Sequence, residues 1–453
     1  LSAVRWDRHR LRRAASRILG EALRAADPAA LVRRHLRRRG RVLEVAGVRH
    51  ELGRGRLVAL AVGKAAVTMA RAAEEVLGRD LDAALAVASA TGAGLARTRL
   101  LVAGHPLPDA RGVAAAAEAE ALVRGLARQD LLLVLLSGGA SALLPAPAPG
   151  ISLEDKATLT ALLMRSGATI AELNAVRKHL SRLKGGGLAR LAAPARVAGL
   201  VLSDVVGDDL STIGSGPLSP DPTRFGDAVA TLRARGVWEA APEAVRARLL
   251  AGARGELPET PKPGDALFRR VVARVVGSNR LSVEAAARAA RRLGLRALVL
   301  TTRLEGEARE VARALVAILR ECREAGRPAR PPLCLLAGGE TTVTVRGDGH
   351  GGRNQELVVA AAEPLAGLGA PAVVASLGTD GVDGRSDAAG GVADEQSAAR
   401  ARALGLPPAS HFLARSDSQA YLAPLGDLIV TGPTGTNVMD VTVLLAGARP
   451  RVL

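Results

Sequence analysis

The run LLLVLLSGGAS, Leu131 to Ser141, sets six consecutive large aliphatic residues directly against a turn of small and hydroxylated ones. With no polar alternation, such a run reads as a strand buried on both faces, which occurs in sheets covered by helices. Its polar turn then lies at the strand's carboxyl end, where open α/β sheets bind ligands. Three further stretches repeat the pattern: VAGLVLSDVVGDD (Val197 to Asp209), LCLLAGGETT (Leu333 to Thr342) and VVASLGTDGVDG (Val373 to Gly384). Small turn residues let backbone N–H groups approach an anion, and neighbouring carboxylates can hold a divalent cation. Together they point to nucleotide phosphate with magnesium.

Outward from this run the same rhythm continues. LVALAV (Leu57 to Val62) leads through Gly63-Lys64 into the helical pattern AAVTMARAAEEVLG, and strands are predicted at 84–89, 100–103 and 197–202 with Ala-rich helices between them. Strand, turn, helix, strand implies a parallel sheet with right-handed crossovers. GELPETPKPGD (Gly255 to Asp265) is the best linker candidate. It divides the chain into an α/β domain over 1–255 and a second over 265–453. Beyond it, strands are predicted at 273–279, 297–302 and 333–339. TTVTV (Thr341 to Val345) alternates, as a half-exposed antiparallel strand would, so the second sheet is expected to be mixed.

Length and composition fit this picture, since 453 residues at 48% hydrophobic content can bury two cores. No apolar stretch reaches the ~20 residues needed to span a bilayer, and LSAVRWDRHRLRRAASRIL lacks a signal peptide's apolar region, so a cytoplasmic protein without a membrane partner is expected. Cys322 and Cys334 lack the spacing of a disulfide framework or zinc site and read as packing residues. The net charge of +18 is half terminal: residues 1–40 carry twelve Arg against three acidic residues, a local +9. They read as one or two amphipathic helices with Ile18, Leu19, Leu23, Leu31 and Leu36 on the apolar faces. With six aromatics in the chain and no reader motif, a specific nucleic-acid partner is not expected.

Arg outnumbers Lys 57 to 5, so a retained Lys marks a place where a compact ammonium is needed. Lys64 and Lys184 both touch glycine turns. There is no GxxxxGK[ST], but Ser137, Gly138, Gly139 and Ser141 supply glycines and hydroxyls suited to phosphate at a helix start. A Lys at a helix N-terminus is unfavourable unless an anion is near, and the same argument makes Arg353, emerging from Gly351-Gly352, an anion clamp. Asp204, Asp208 and Asp209 follow one strand, and Asp380, Asp383 and Asp387 another. Clustered carboxylates suit magnesium or a general base. Gly347, Gly349 and Gly352 spell GxGxxG, but after an alternating segment, and with Asp380 28 residues on; this match is treated as accidental. No GxSxG elbow supports a serine hydrolase, and His105 in GHPLPDA is as readily structural as catalytic.

The blocks VGKAAVTMA, GHPLPDA, LLLVLLSGGASALL, NAVRKHLSRLKGGGLA, LVLSDVVGDDLSTIGSGP, GSN, LAGGETTVTVRGDGHGGRNQE, LGTDGVDGRSDAAG and TGPTGTNVMD, in this order from Leu57 to Leu445, resemble the glycerate 2-kinases with a MOFRL C-terminal domain. The resemblance implies a Rossmann-like N-terminal domain and a smaller MOFRL domain, about 333–446. It also implies ATP and Mg2+ as cofactors and D-glycerate as substrate, phosphorylated at C2. Lys64, Arg353 and Asp204 match the residues thought to carry the chemistry, with Asp204 either base or magnesium ligand. Ser137, Gly138, Gly139, Ser141, Lys184, Asn279 and Glu340 are candidates for nucleotide or phosphate contacts, and Asp208, Asp380 and Asp383 for metal. Such proteins have often been labelled hydroxypyruvate reductases, which makes that activity the rival, with polyanion binding by the Arg-rich helices as a third reading. Assembly as monomer or homodimer stays open.

Overall fold

The computed structural model describes residues 6–92 and 94–448. The first five residues of the Arg-rich segment and the last five of the second expected domain lie outside them. The chain forms two compact α/β units, Pro28–Val276 and Leu1–Asp27 with Gly277–Leu453.

The Arg-rich segment forms two helices, α1 (Arg8–Ala25) and α2 (Pro28–His35), that belong to different units. Asp7 caps α1 by accepting the Arg10 N–H at 2.8 Å. A short antiparallel meander follows, β1 (Leu36–Arg39), β2 (Val42–Val45) and β3 (Val48–Glu51). Arg37 to Arg39 are therefore exposed strand residues, not part of a helix.

Pro28–Val276 is built on a six-stranded sheet of β4 (Leu57–Val62), β5 (Ala83–Ala88), β6 (Thr98–Val102), β7 (Leu131–Leu136), β8 (Arg196–Leu202) and β9 (Val271–Gly277), in the order β6-β5-β4-β7-β8-β9. The pairings from β6 through β8 are parallel. β4 shows why uninterrupted aliphatics are needed. Leu57, Ala59 and Ala61 face one core with α3 (Ala66–Leu77), while Val58, Leu60 and Val62 face another with α4 (Ala110–Val123). Alternate side chains meet helices on opposite faces, so no position is left for a polar residue. The expected linker is no linker: Thr260 donates to Asp221 at 2.9 Å, and the strand after it, β9, joins this sheet, so the division falls at Val276 and Gly277.

The second unit contains a six-stranded sheet in the order β10-β11-β15-β12-β13-β14, with β10 (Arg296–Leu304), β11 (Leu333–Gly339), β12 (Ala372–Gly378), β13 (Gly390–Asp394), β14 (Leu428–Ile429) and β15 (Asp440–Ala446). It is mixed, as expected, but for a different reason. Thr341 to Val345 form no strand, only a single bridge from Thr342 to Glu307 in an otherwise irregular loop. The antiparallel pairings come from β15, inserted between β11 and β12, and from β13, paired with β12 and β14. Helices again cover both faces. Leu333 and Leu335 face helices Ala308–Glu324 and Arg353–Ala366, and Leu336 and the buried Cys334 face α1 and helix Asn279–Arg292. This explains the destination of α1: its stripe of Leu11, Ala15, Ile18, Leu19 and Ala22 completes a layer that helix Asn279–Arg292 only partly fills. Its basic face is partly committed as well, because Arg12 binds Asp394 and Asp427, each at 2.6 Å.

Candidate active site

Within Pro28–Val276, three adjacent parallel strands end in the predicted residues. Gly63, with φ +127°, turns the chain after β4; a Cβ there would overlap Ser137, so no other residue fits. The Lys64 N–H donates to the Gly138 carbonyl at 2.8 Å, and the Ala65 N–H to Ser137 Oγ at 3.0 Å. The Ser137 hydroxyl, expected to touch phosphate, is thus buried and holds the two turns together. Gly138 and Gly139 are bare for a reason of space: a Cβ on Gly138 would overlap the Asp204 carboxylate, and one on Gly139 would lie 2.9 Å from the His105 ring and 3.4 Å from Lys64 Cγ. Lys64, His105, the Gly138-Gly139 backbone and Asp204 therefore share one spot at the carboxyl ends of β4, β7 and β8.

Its electrostatics are those of a site. Burial raises the Asp204 carboxyl above the ordinary carboxylate range, against the pull of Lys64. Burial and Lys64 lower His105, favouring the neutral imidazole. Next to this spot, Lys184 is buried with its Nζ donating to the Ser141 carbonyl at 3.0 Å, and Ser141 Oγ lies 2.8 Å from Ser215 Oγ. Asp209 is occupied as a turn cap, accepting from Ser211 and Thr212, whereas Asp208 makes no side-chain hydrogen bond or ion pair among the described residues. His179 is structural: Nδ1 meets the Ala175 carbonyl at 2.7 Å and Nε2 meets Glu259 at 3.2 Å.

In the second unit the predicted residues gather around one that sequence reasoning missed, Asp440. It opens β15 opposite Gly339 of β11 and Gly378 of β12, so neither neighbouring position carries a side chain. Arg353 Nε and Nη2 engage its two oxygens at 2.5 and 2.9 Å, and Arg353 Nη1 reaches Glu340 at 3.0 Å. Asn279 Nδ2 donates to the Asp440 carbonyl at 2.7 Å, and Asp380 repels the Asp440 carboxylate. Burial raises Asp440, while its carboxylate and that of Glu340 outweigh the burial of Arg353 and lock that guanidinium in its charged form. The anion that excuses a cation at this helix start is thus in the protein itself. The signal lay in the last residue of TGPTGTNVMD, but nothing in the sequence pairs it with Arg353.

Asp383, expected at a metal, has another task. Helix Arg353–Ala366 begins at Gly352, which has no capping side chain; Asp383 Oδ1 accepts the Asn354 N–H at 3.1 Å and Oδ2 the Gln355 N–H at 2.8 Å. Burial pushes its carboxyl up to about 6. Among the described residues no three His, Cys, Asp or Glu side chains group to hold a metal ion. A magnesium ion carried by a nucleotide needs only one or two carboxylates, which Asp204 or Asp380 could supply. Glu340 and Arg353 also line a cleft of about 410 Å³ with Thr341, Gly351 and Ser418. The GxGxxG glycines belong to packing: a Cβ on Gly347 would lie 2.6 Å from the Arg415 carbonyl, and one on Gly349 would overlap Asp417.

Two family profiles match the chain, one over each of its larger parts. The profile of a domain of unknown function (DUF4147) matches residues 14–250, and that of the MOFRL family residues 333–440. A glycerate 2-kinase from Pyrococcus horikoshii is 41% identical over 96% of this chain and 97% of its own. An Agrobacterium vitis protein, named only provisionally as a hydroxypyruvate reductase, is 40% identical over 98% and 96%. The crystal structure of glycerate kinase from Thermotoga maritima superposes with a TM-score of 0.85 at 37% identity, covering 97% of this chain and all of that one. With identity of this order over nearly the whole of both chains, the protein belongs to the glycerate 2-kinase family with a MOFRL domain.

Proposed function

We propose that this protein transfers the γ-phosphoryl group of ATP to the C2 hydroxyl of D-glycerate, giving 2-phosphoglycerate and ADP, with magnesium. The observation that carries the reading is the joint placement of Lys64, the bare Gly138-Gly139 turn and Asp204 at three neighbouring strand ends. Phosphoryl transfer asks the protein for alignment and charge neutralisation more than for covalent help. Lys64 is held by its backbone bond to Gly138, so its ammonium is presented from a fixed turn to stabilise charge on the migrating group. The Gly138-Gly139 backbone, free of side chains, lets a phosphate approach. Asp204, with a carboxyl raised by burial, is suited to accept the hydroxyl proton; Asp204 or Asp380 would hold magnesium, which when bound neutralises phosphate charge. Arg353, fixed by Asp440 and Glu340, would present its remaining edge to the glycerate carboxylate or the γ-phosphate.

No contact in the structure favours the reductase, since the glycines that mimic a dinucleotide loop are used in packing, Gly347 and Gly349 against 415–417 and Gly352 against Asp383. Among the described residues no helix is long and apolar enough to cross a membrane, and we place the reaction in the cytoplasm, where both buried cysteines would stay reduced. One assay decides: incubate the protein with D-glycerate, ATP and magnesium and follow ADP, and in parallel follow NADH with hydroxypyruvate. ADP release without NADH loss is expected. NADH loss alone, or neither signal, overturns the kinase.

A further inference from the structure

Four of the five lysines lie between residues 156 and 262, and they fall into two kinds. Lys178 and Lys262 are paired with carboxylates, Asp221 at 3.3 Å and Glu259 at 3.1 Å. Lys156 and Lys184 have only backbone carbonyls: Lys156 Nζ donates to Pro145 at 2.8 Å and Lys184 Nζ to Ser141 at 3.0 Å. Arg177, half-buried on helix Ile170–His179, makes no hydrogen bond or ion pair among the described residues and repels both. Burial depresses both ammonium groups, Lys156 to about 7 with repulsion from Arg177, and Lys184 well below its usual range with repulsion from Lys156 and Arg177. Arg182 adds to the repulsion on Lys156.

Crowded cations without a counter-ion are unfavourable unless an anion completes the cluster. A second observation points the same way. Asn174, 4% exposed on the same helix, accepts from Ser215 Oγ at 2.9 Å through Oδ1, yet its Nδ2 has no partner. A buried amide donor left unsatisfied is rare in a finished core. Ser215 in turn meets Ser141, so the orphaned donor and Lys184 connect to the turn beside Lys64.

We propose that Arg177, Lys184, Lys156 and the Asn174 amide form the subsite for the polyphosphate chain of the nucleotide, continuous through Ser141 with the Gly138-Gly139 turn. This rests on the kinase reading above for the identity of the nucleotide. A monovalent carboxylate brings one negative charge, whereas a polyphosphate chain brings several, enough to hold both lysines protonated beside Arg177. Lys184 and Arg177 become binding residues, and Asn174 a donor whose partner is the ligand.

Titration calorimetry on the full chain with inorganic tripolyphosphate, and with a non-hydrolysable ATP analogue plus magnesium, tests it. Wild type, Arg177→Ala and Lys184→Met are compared, with circular dichroism as the check on folding. Arg177→Ala and Lys184→Met are each expected to weaken both ligands by about tenfold or more, the effect of one lost charge-assisted contact, and to raise the KM for ATP while that for glycerate stays within about twofold. Unchanged affinity in folded Arg177→Ala overturns the subsite, even if Lys184→Met fails to fold. A raised glycerate KM with unchanged nucleotide affinity also overturns it, assigning the cluster to the carboxylate. Wild type that binds neither polyphosphate overturns it as well. Tripolyphosphate binding that Arg177→Ala abolishes, in a protein that does not phosphorylate glycerate, defeats the kinase reading and leaves the anion site standing.

Discussion

The two units place a basic residue at the start of a helix in opposite ways. Lys64 follows Gly63 in a turn whose N–H bonds to the Gly138 carbonyl, with Asp204 as a neighbouring carboxylate that its charge acts on. Arg353 is gripped by Asp440 and Glu340, with Asp380 and Asp383 close behind. The first sets its cation on a glycine turn beside a buried carboxylate, while the second grips its cation between two carboxylates and holds it rigid. A cation carried on a fixed backbone turn recognises charge, whereas one locked between carboxylates recognises shape and direction.

The largest effects test this contrast directly. Lys64→Ala and Arg353→Ala are each expected to lower kcat by about two orders of magnitude or more, as loss of an electrostatic contact to a transition state does. Their stabilities should differ. Arg353→Ala strands the buried Asp440 carboxylate and should cost roughly 3 kcal/mol in urea unfolding, while Lys64→Ala should change it by less than ~1 kcal/mol. Equal losses of stability would erase the distinction, and near-normal turnover in both folded variants would remove both residues from the chemistry.

Asp204→Asn comes next, with an expected loss of about a hundredfold in kcat if Asp204 is the base. Because burial raises its carboxyl, the carboxylate form is lost as pH falls through a value above the ordinary range. In wild type kcat/KM should therefore decline on the acid side earlier than a solvated Asp would allow, and that limb should vanish in Asp204→Asn. A limb that persists, together with a raised magnesium requirement, makes Asp204 a metal ligand instead.

A smaller effect separates the two glycine loops. In Gly138→Ala the new methyl must displace the Asp204 carboxylate, so turnover should fall about tenfold with little change in Tm. In Gly347→Ala it meets the Arg415 backbone, so unfolding should become easier by about 1–2 kcal/mol with kcat within about threefold. The reverse assignment would mean that the loop before Arg353, not the SGGAS turn, is where backbone approaches substrate.

These contrasts were only partly legible in the sequence. β4, β7 and β11 coincide with runs read directly from the chain, because a strand buried on both faces must be aliphatic at every position. Lys64 stood out through the scarcity of lysine, and its neighbours through the strand-end rule. What escaped was set by tertiary pairing. DVTVLLA became the central antiparallel strand instead of TTVTV because its residues face two cores, whereas Val343 packs only partly against one and Val345 is exposed. The boundary at Val276 escaped because β9 joins the sheet before it, and α1 joins the unit after it, for reasons of surface coverage that no local pattern encodes. Asp440 escaped because a lone Asp at a strand start has no signature until its guanidinium partner arrives from 87 residues away.

Asp383 supplies the subtlest test of the self-neutralised unit. Its carboxylate accepts two backbone N–H groups and the Asn354 side chain, which favour ionisation, yet burial and the nearby Asp440 push it up to about 6. An acid whose folded value is raised above its unfolded one stabilises the fold fully below the unfolded value, near 4, and loses that contribution as pH rises through about 6. Asp383→Asn keeps the shape and removes the titration. The stability gap between wild type and this variant should therefore widen as pH falls from 7 toward 4.5, by at most ~1.4 kcal/mol per pH unit below about 6. Urea unfolding of both proteins at the two pH values measures it. A gap that narrows on acidification would show that the helix N-terminus, rather than burial beside Asp440, dominates at Asp383, and that this cluster has room for a further negative charge.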